Sequence, residues 1–320
     1  MKKEIKRKLN LKSRIRRVFW KDEALRPVWR VIFACLIYLG AFNGVLYGLA
    51  AIFGHLFDLW GLTNDNLTRA PIWAQTVVYL HSDFCYGMAY LISAVLGRIA
   101  SRRGIQTLPR SKSVFPTAVL LGFLLSAGLT GLALLTDSVR LEKPLSEPQF
   151  YLQTLIAFFL IFAGKWSQEV LCRRLIYAQL RKKRLLAITV SALVTMILTG
   201  EWTVCGAFSG LLLGVVACSL YERGGLLACT AFQTVWTAWS TLLFAFPGMT
   251  ANATPVYTLY HVSDAWLTGG NRSILSGLWC TLALFVFALF LYRKDLENIY
   301  QKMQAFRQAV KKSKAKKKKH

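Results

Sequence analysis

Histidine is scarce: the chain has four in 320 residues, and one of them is its last residue, His320. The other three, His55, His81 and His261, are far apart in sequence. No His-Glu-x-x-His occurs, so a zincin-type metalloprotease lacks its ligands. The seven cysteines, Cys35, Cys85, Cys172, Cys205, Cys218, Cys229 and Cys280, include no CxxC pair. All lie in apolar stretches and read as small buried residues, which argues against a disulfide framework or a zinc site. No Walker or dinucleotide motif is present, which argues against nucleotide-driven work by this chain alone. No cofactor and no metal is expected. Two apparent serine sites also fall away. His81-Ser82-Asp83 is written like a triad, but consecutive helical residues point about 100° apart and cannot form one. Ser209, in Gly206-Ala-Phe-Ser-Gly210, resembles a nucleophile motif, yet it lies on a glycine ridge with no histidine at matching depth, so packing is the better reading. His81 and Asp83 remain intramembrane polar groups that need partners or line a cavity.

What the chain has is apolar length. It is 55% hydrophobic, with a mean hydropathy of +0.41, the composition of a membrane protein. The expected fold is an all-α, polytopic bundle of about eight transmembrane helices. The spans are expected at about 28–53, 73–97, 115–136, 151–180, 185–200, 203–221, 226–246 and 275–292. The fourth is long, and its polar second half is expected to run into or along the cytosolic interface. The chain divides into a basic juxtamembrane arm (1–26), a transmembrane domain (27–292, core 150–245) and an amphipathic helix with a polybasic tail (293–320).

The net charge of +25 sits at the two ends and in alternate loops. The amino-terminal arm, Arg98–Lys112, Arg181–Arg184, Arg223 and the tail carry most of it. By the positive-inside rule both termini are then cytosolic. The sequons beginning at Asn66, Asn252 and Asn271 fall on the outer side. Both basic ends suit anionic lipid headgroups, and nucleic acid is the weaker partner for them. In the tail, Leu296, Ile299, Tyr300, Met303, Phe306 and Val310 form a helical apolar stripe. Two glycine ridges, Gly40-Gly44-Gly48 and Gly206-Gly210-Gly214, put small residues on single helix faces and predict tight helix packing.

The most informative stretch is Ala163–Tyr177. Lys165, Glu169 and Arg173 recur at i, i+4 and i+8, on one helix face. Charges inside a membrane segment are costly and are functional candidates by default. By spacing alone, a self-satisfied ladder near the membrane surface explains them too. A desolvated Glu169 held by Arg173 has the groups of a general base acting on water. Glu201, between the fifth and sixth spans, is the other carboxylate candidate, and this topology puts it on the wrong side to meet Glu169 easily.

These residues carry a resemblance. Leu25-Arg-Pro-Val-Trp-Arg30 opens the first span, Gln168-Glu-Val-Leu-Cys-Arg173 follows, and a glycine-ridged helix ends in Leu220-Tyr-Glu-Arg-Gly-Gly225. Over most of its length the chain resembles the CPBP family, the CAAX protease and bacteriocin-processing membrane proteins. The resemblance implies an all-helical bundle whose glutamate-and-histidine site opens into the membrane. Active members cleave peptide bonds there, by glutamate-activated water or as proposed metalloenzymes, and others are linked to bacteriocin immunity. The family pattern Glu-Glu-x-x-x-Arg leaves Glu169 and Arg173 here, with Gln168 in place of the first glutamate. The family's Phe-x-x-x-His aligns with Thr195 and Thr199, and the third motif's His and Asn fall at about Thr234 and Ala238. Threonine cannot shuttle a proton near neutral pH as histidine does. The reading is a CPBP-type membrane protein, expected in a bacterial plasma membrane, with an impaired or lost site. Its role would be to bind a membrane peptide, toxin or partner protein. The alternatives are an active endopeptidase using Glu169 with Arg173, and a transport or lipid-handling protein.

Overall fold

The computed structural model describes residues 20–21, 24–25, 27–61, 71–100, 114–142, 148–246, 255–262, 265–270, 272–293 and Glu297. The amino-terminal basic arm up to residue 19, most of the Arg98–Lys112 loop, the three sequon asparagines and the side chain of Asp83 lie outside the described residues. So do the apolar stripe from Leu296 to Val310 and the polybasic tail.

The chain is helical, as its hydropathy requires. The long helices are α1 (Pro27–Leu59), α2 (Ile72–Ala100), α3 (Val114–Leu135), α4 (Pro148–Glu169), α5 (Arg184–Thr199) and α6 (Val204–Ala238). After a short α7 (Ala265–Thr268) comes α8 (Leu278–Arg293). Among the described residues four stretches are long and apolar enough to cross a membrane, by length and composition: Val28–Leu59, Val114–Leu135, Thr154–Leu180 and Val204–Leu243. Large apolar side chains face outward, among them Phe290, Val286 and Leu120. That inverts the pattern of a protein in water and suits contact with lipid tails. Short strands accompany the helices: β1 (Trp20–Lys21) pairs with β2 (Ala24–Leu25), and β3 (Val139–Leu141), β4 (Phe244–Ala245) and β5 (Tyr257–His261) form a second patch with β5 central.

α6 is not one rod. Gly225 sits at φ 74°, ψ −165°, a region open essentially to glycine alone. A straight helix would separate Leu213 from Gln233 by about 30 Å, yet both line one cavity. The chain therefore doubles back at Gly224-Gly225, giving two antiparallel arms where the hydropathy predicts two segments.

Neighbour contacts fix the directions of the helices. α2 runs beside α4 in the same sense, because Gly87 faces Leu160 and Gly97 faces Leu175. Val114, opening α3, lies against Gly224. Arg223 donates to the Leu291 carbonyl near the end of α8. Arg184 clasps Glu222 through Nε and Nη2, both at 2.8 Å. Helix ends alternate accordingly, and Arg98, Arg181–Arg184, Arg223 and Arg293 gather at one end of the bundle.

The second glycine ridge packs as expected. A Cβ at Gly206 would meet Glu201, one at Gly210 would meet Thr199 and Met196, and one at Gly214 would lie 2.6 Å from the Ala192 Cα. The first ridge does not. Among the described residues, nothing would lie within 4 Å of a Cβ at Gly40, Gly44 or Gly48, because α1 meets the bundle through its opposite face at Tyr38 and Phe42. Gly214→Val is therefore expected to wedge α5 from α6 and cost about 1–3 kcal/mol. Gly44→Val should stay within about 0.5 kcal/mol of wild type. Thermal unfolding in detergent compares the two.

α4 corrects another expectation. Its second half does not run along an interface. It continues as a π-helical stretch, Val170–Tyr177, in which every residue but Arg174 is buried. The wider π turn carries its polar groups into the centre of the bundle.

Candidate functional site

Glu169 closes α4 at the start of the π stretch and is 1% exposed. Its Oε2 lies 3.0 Å from Arg173 Nε, and Arg173 is 0% exposed. Neither of these two atoms has an aligned hydrogen bond, so the contact is a close ion pair and not an N–H aimed at the oxygen. The other carboxylate oxygen, Oε1, accepts from Gln233 Nε2 at 2.7 Å.

Arg173 also holds α5. Its Nη1 donates to Ser191 Oγ at 2.5 Å and Nη2 to Thr195 Oγ1 at 3.1 Å. Ser191 Oγ donates onward to the Cys172 carbonyl at 2.7 Å, and Thr195 Oγ1 donates to the Ser191 carbonyl at 2.9 Å. A buried charge pair is tolerable only when its remaining polar groups are satisfied. Here α5 and the second arm of α6 supply that satisfaction. The ladder expected at the membrane surface is thus a buried pair. Lys165 stands apart from it and reaches Gln168 Oε1 at 3.4 Å.

Beside the pair lies a cavity of about 320 Å³. Its walls include Lys165, Gln168, Glu169, Thr195 and Thr199, with Gln233, Trp236, Thr237 and Thr241 from the second arm of α6. Thr199 Oγ1 donates to the Met196 carbonyl at 2.6 Å. Thr234 and Ala238 do not line this cavity. Thr234 is buried, with no hydrogen-bond partner for Oγ1 among the described residues, and Ala238 packs with Ala157 and Leu242. Their neighbours Gln233 and Thr237, also four apart, present the polar face instead. A polar pair at i, i+4 in an apolar helix is a signal the sequence carried.

Glu201 also lines the cavity, contrary to the sequence expectation. Gly200, at φ +71°, ends α5, and Thr203 caps the next helix at Gly206 N. The link between them is so short that Glu201 is held at the rim, where Ser276 Oγ donates to it at 2.8 Å. Glu169 lies eleven residues before Leu180, where its helix ends, or about 16 Å at helical rise, so the two carboxylates face one space from different depths.

Among the described residues no histidine lines the cavity. His81 sits between Phe53 and Phe57 on the far side of α2, its Nδ1 2.5 Å from the Val78 carbonyl. His261 lies in β5. Among the described residues no group of three His, Cys, Asp or Glu side chains is placed to hold a metal ion. With Glu169 paired to Arg173 and only amides, hydroxyls and a distant second carboxylate beside it, these residues do not fit the metal proposed for the resembled family.

Residues 149–239 match the family model of the type II CAAX prenyl endopeptidases, Rce1-like. The match supports a CPBP-type reading of this stretch. The matched stretch takes in α4 from its second residue, the π stretch, α5 and the whole α6 hairpin, the elements that supply most of the cavity wall. No curated protein and no solved structure matches the chain. Within the matched stretch, Glu169 and Arg173 face each other, while positions 168, 195, 199, 233 and 237 bring only amides and hydroxyls to the cavity.

Proposed function

We propose that the protein is an integral membrane protein whose CPBP cavity binds a membrane peptide without cutting it. The observation that carries this reading is the state of Glu169. One oxygen is in an ion pair with Arg173, the other accepts from Gln233, and among the described residues no histidine lines the cavity to relay a proton. A general base needs a free lone pair aimed at water and a route for the proton; a hydroxyl- and amide-lined cavity suits peptide carbonyls and N–H groups. The ligand class follows the family's printed substrate, a CAAX prenyl peptide, or a toxin peptide of similar membrane habit. An immunity or scaffold role in a bacterial plasma membrane follows from the same reading. So do eight spans with both termini in the cytosol: the arginine-rich end of the bundle is the inner face by the positive-inside rule, and the basic arm and tail rest on anionic headgroups.

The alternative keeps Glu169 as the base of an active endopeptidase, and its place in the cavity wall is the feature that favours it. Peptide capture separates the two. A fluorescent farnesylated peptide is added to purified protein in detergent and followed by anisotropy. Glu169→Gln should bind within about threefold of wild type. Thr199→Trp should lose at least about tenfold, because the indole fills the cavity. Equal binding by Thr199→Trp and wild type would move the ligand out of this cavity.

A further inference from the structure

A second, smaller crevice of about 190 Å³ lies between α2 and α4, walled by Tyr86, Gly87, Tyr90, Leu160 and Ile161. It shares three residues with the polar cavity: Lys165, Gln168 and Thr237. The two spaces therefore meet at one partition. The crevice side is apolar and bounded by Tyr86, which is 48% exposed on the outer surface of the bundle. The cavity side is polar.

Lys165 stands in that partition. It is partly buried and lies within a membrane-length apolar helix. Among the described residues no carboxylate lies within ion-pair distance of its ammonium. Glu169, on the same helix face, is held by Arg173 and Gln233. Glu201, the other charged group facing the cavity, is held at the rim by Ser276. Lys165 keeps one long contact, 3.4 Å to the Gln168 amide oxygen. A cation inside a membrane protein is costly without an anion. A cation left with an amide as its neighbour, between an apolar slot and a polar cavity, has the form of a receptor.

We infer that Lys165, positioned by Gln168, binds a carboxylate carried on an apolar tail, with the tail in the α2–α4 crevice and the carboxylate at the partition. The C-terminal carboxylate of an apolar peptide has this chemistry, and so does a long-chain fatty acid. This inference rests on the cavity being the binding site and specifies what it selects.

The test uses the full chain in phosphatidylcholine nanodiscs with a fluorescent apolar heptapeptide, made as the free acid and as the C-terminal carboxamide. The acid is expected to bind at least about tenfold more tightly, the size of a charge-assisted contact. Lys165→Met should remove the difference and Lys165→Arg should keep it. Palmitate is the second arm. Displacement of the acid by palmitate, dependent on Lys165, assigns the site to fatty acids as well as peptides; acid preference without displacement assigns it to the peptide terminus. Equal binding of acid and amide with no Lys165-dependent palmitate binding overturns the inference, as does a full acid preference in Lys165→Met. Failure of wild type to bind any of these probes overturns it too. Lys165→Met is expected to unfold at or above the wild-type temperature, since it removes an underpaired charge, and Lys165→Gln serves as a second neutral variant. Cleavage of the peptide would contradict the non-catalytic reading alone, because the acid preference would then be read in KM.

Discussion

Arg173→Met is expected to cost about 3–5 kcal/mol, the largest loss of stability of any single change considered. The substitution keeps the chain length and removes the charge. It strands the Glu169 carboxylate at 1% exposure and deprives Ser191 and Thr195 of their donor. Breaking one side of a buried pair costs far more than neutralising both. Arg173→Met combined with Glu169→Gln should therefore recover most of the loss, because the introduced amide would still meet Gln233 and no charge would be left bare. Thermal unfolding of the four proteins in one detergent forms the cycle. Equal melting of wild type and Arg173→Met would show that the pair does not tie α4 to α5.

Returning proton-handling groups to the cavity should produce the largest change in activity. The combination Gln168→Glu, Thr199→His and Gln233→His places a second carboxylate and two imidazoles around Glu169. It also removes the amide that occupies Glu169 Oε1. Acid–base groups in reach of a bound peptide contribute about 10²–10⁴-fold in rate. Wild type is expected to leave a farnesylated CAAX peptide intact, and the triple variant to release product measurably. Cleavage in wild type that is unchanged in the triple variant would mean that the amides and hydroxyls were never the obstacle.

The helical segments were legible from hydropathy alone, because lipid-facing helices must be apolar along their length. Even the reversal inside Val204–Ala238 was legible: Gly224-Gly225 follows a charged pair, Glu222-Arg223, that interrupts two apolar runs. Burial depth was not. Lys165, Glu169 and Arg173 have ladder spacing whether they lie at an interface or in the core. The π stretch after Glu169, which buries Arg173, leaves no mark that periodicity detects. The packing of α1 was missed for a similar reason. Gly40-Gly44-Gly48 and Gly206-Gly210-Gly214 look alike in sequence, and only neighbouring helices distinguish a packed ridge from an open one. In the site, the resemblance placed the third motif at Thr234 and Ala238, while the cavity is lined by Gln233 and Thr237. One residue is about 100° of helix rotation, enough to turn a side chain from the cavity into the core. Glu201 sits in the link between α5 and α6, and only the depth of the cavity brings it into the same space as Glu169.

The most direct measurement is a mass-spectrometric time course. Purified wild-type protein in excess over a farnesylated CAAX peptide, in nanodiscs at neutral pH, is sampled over hours beside Glu169→Gln. The peptide is expected to be recovered bound and uncut with both proteins. A wild-type cleavage product that disappears in Glu169→Gln, with both proteins folded and equally abundant, would contradict it and make Glu169 a working base.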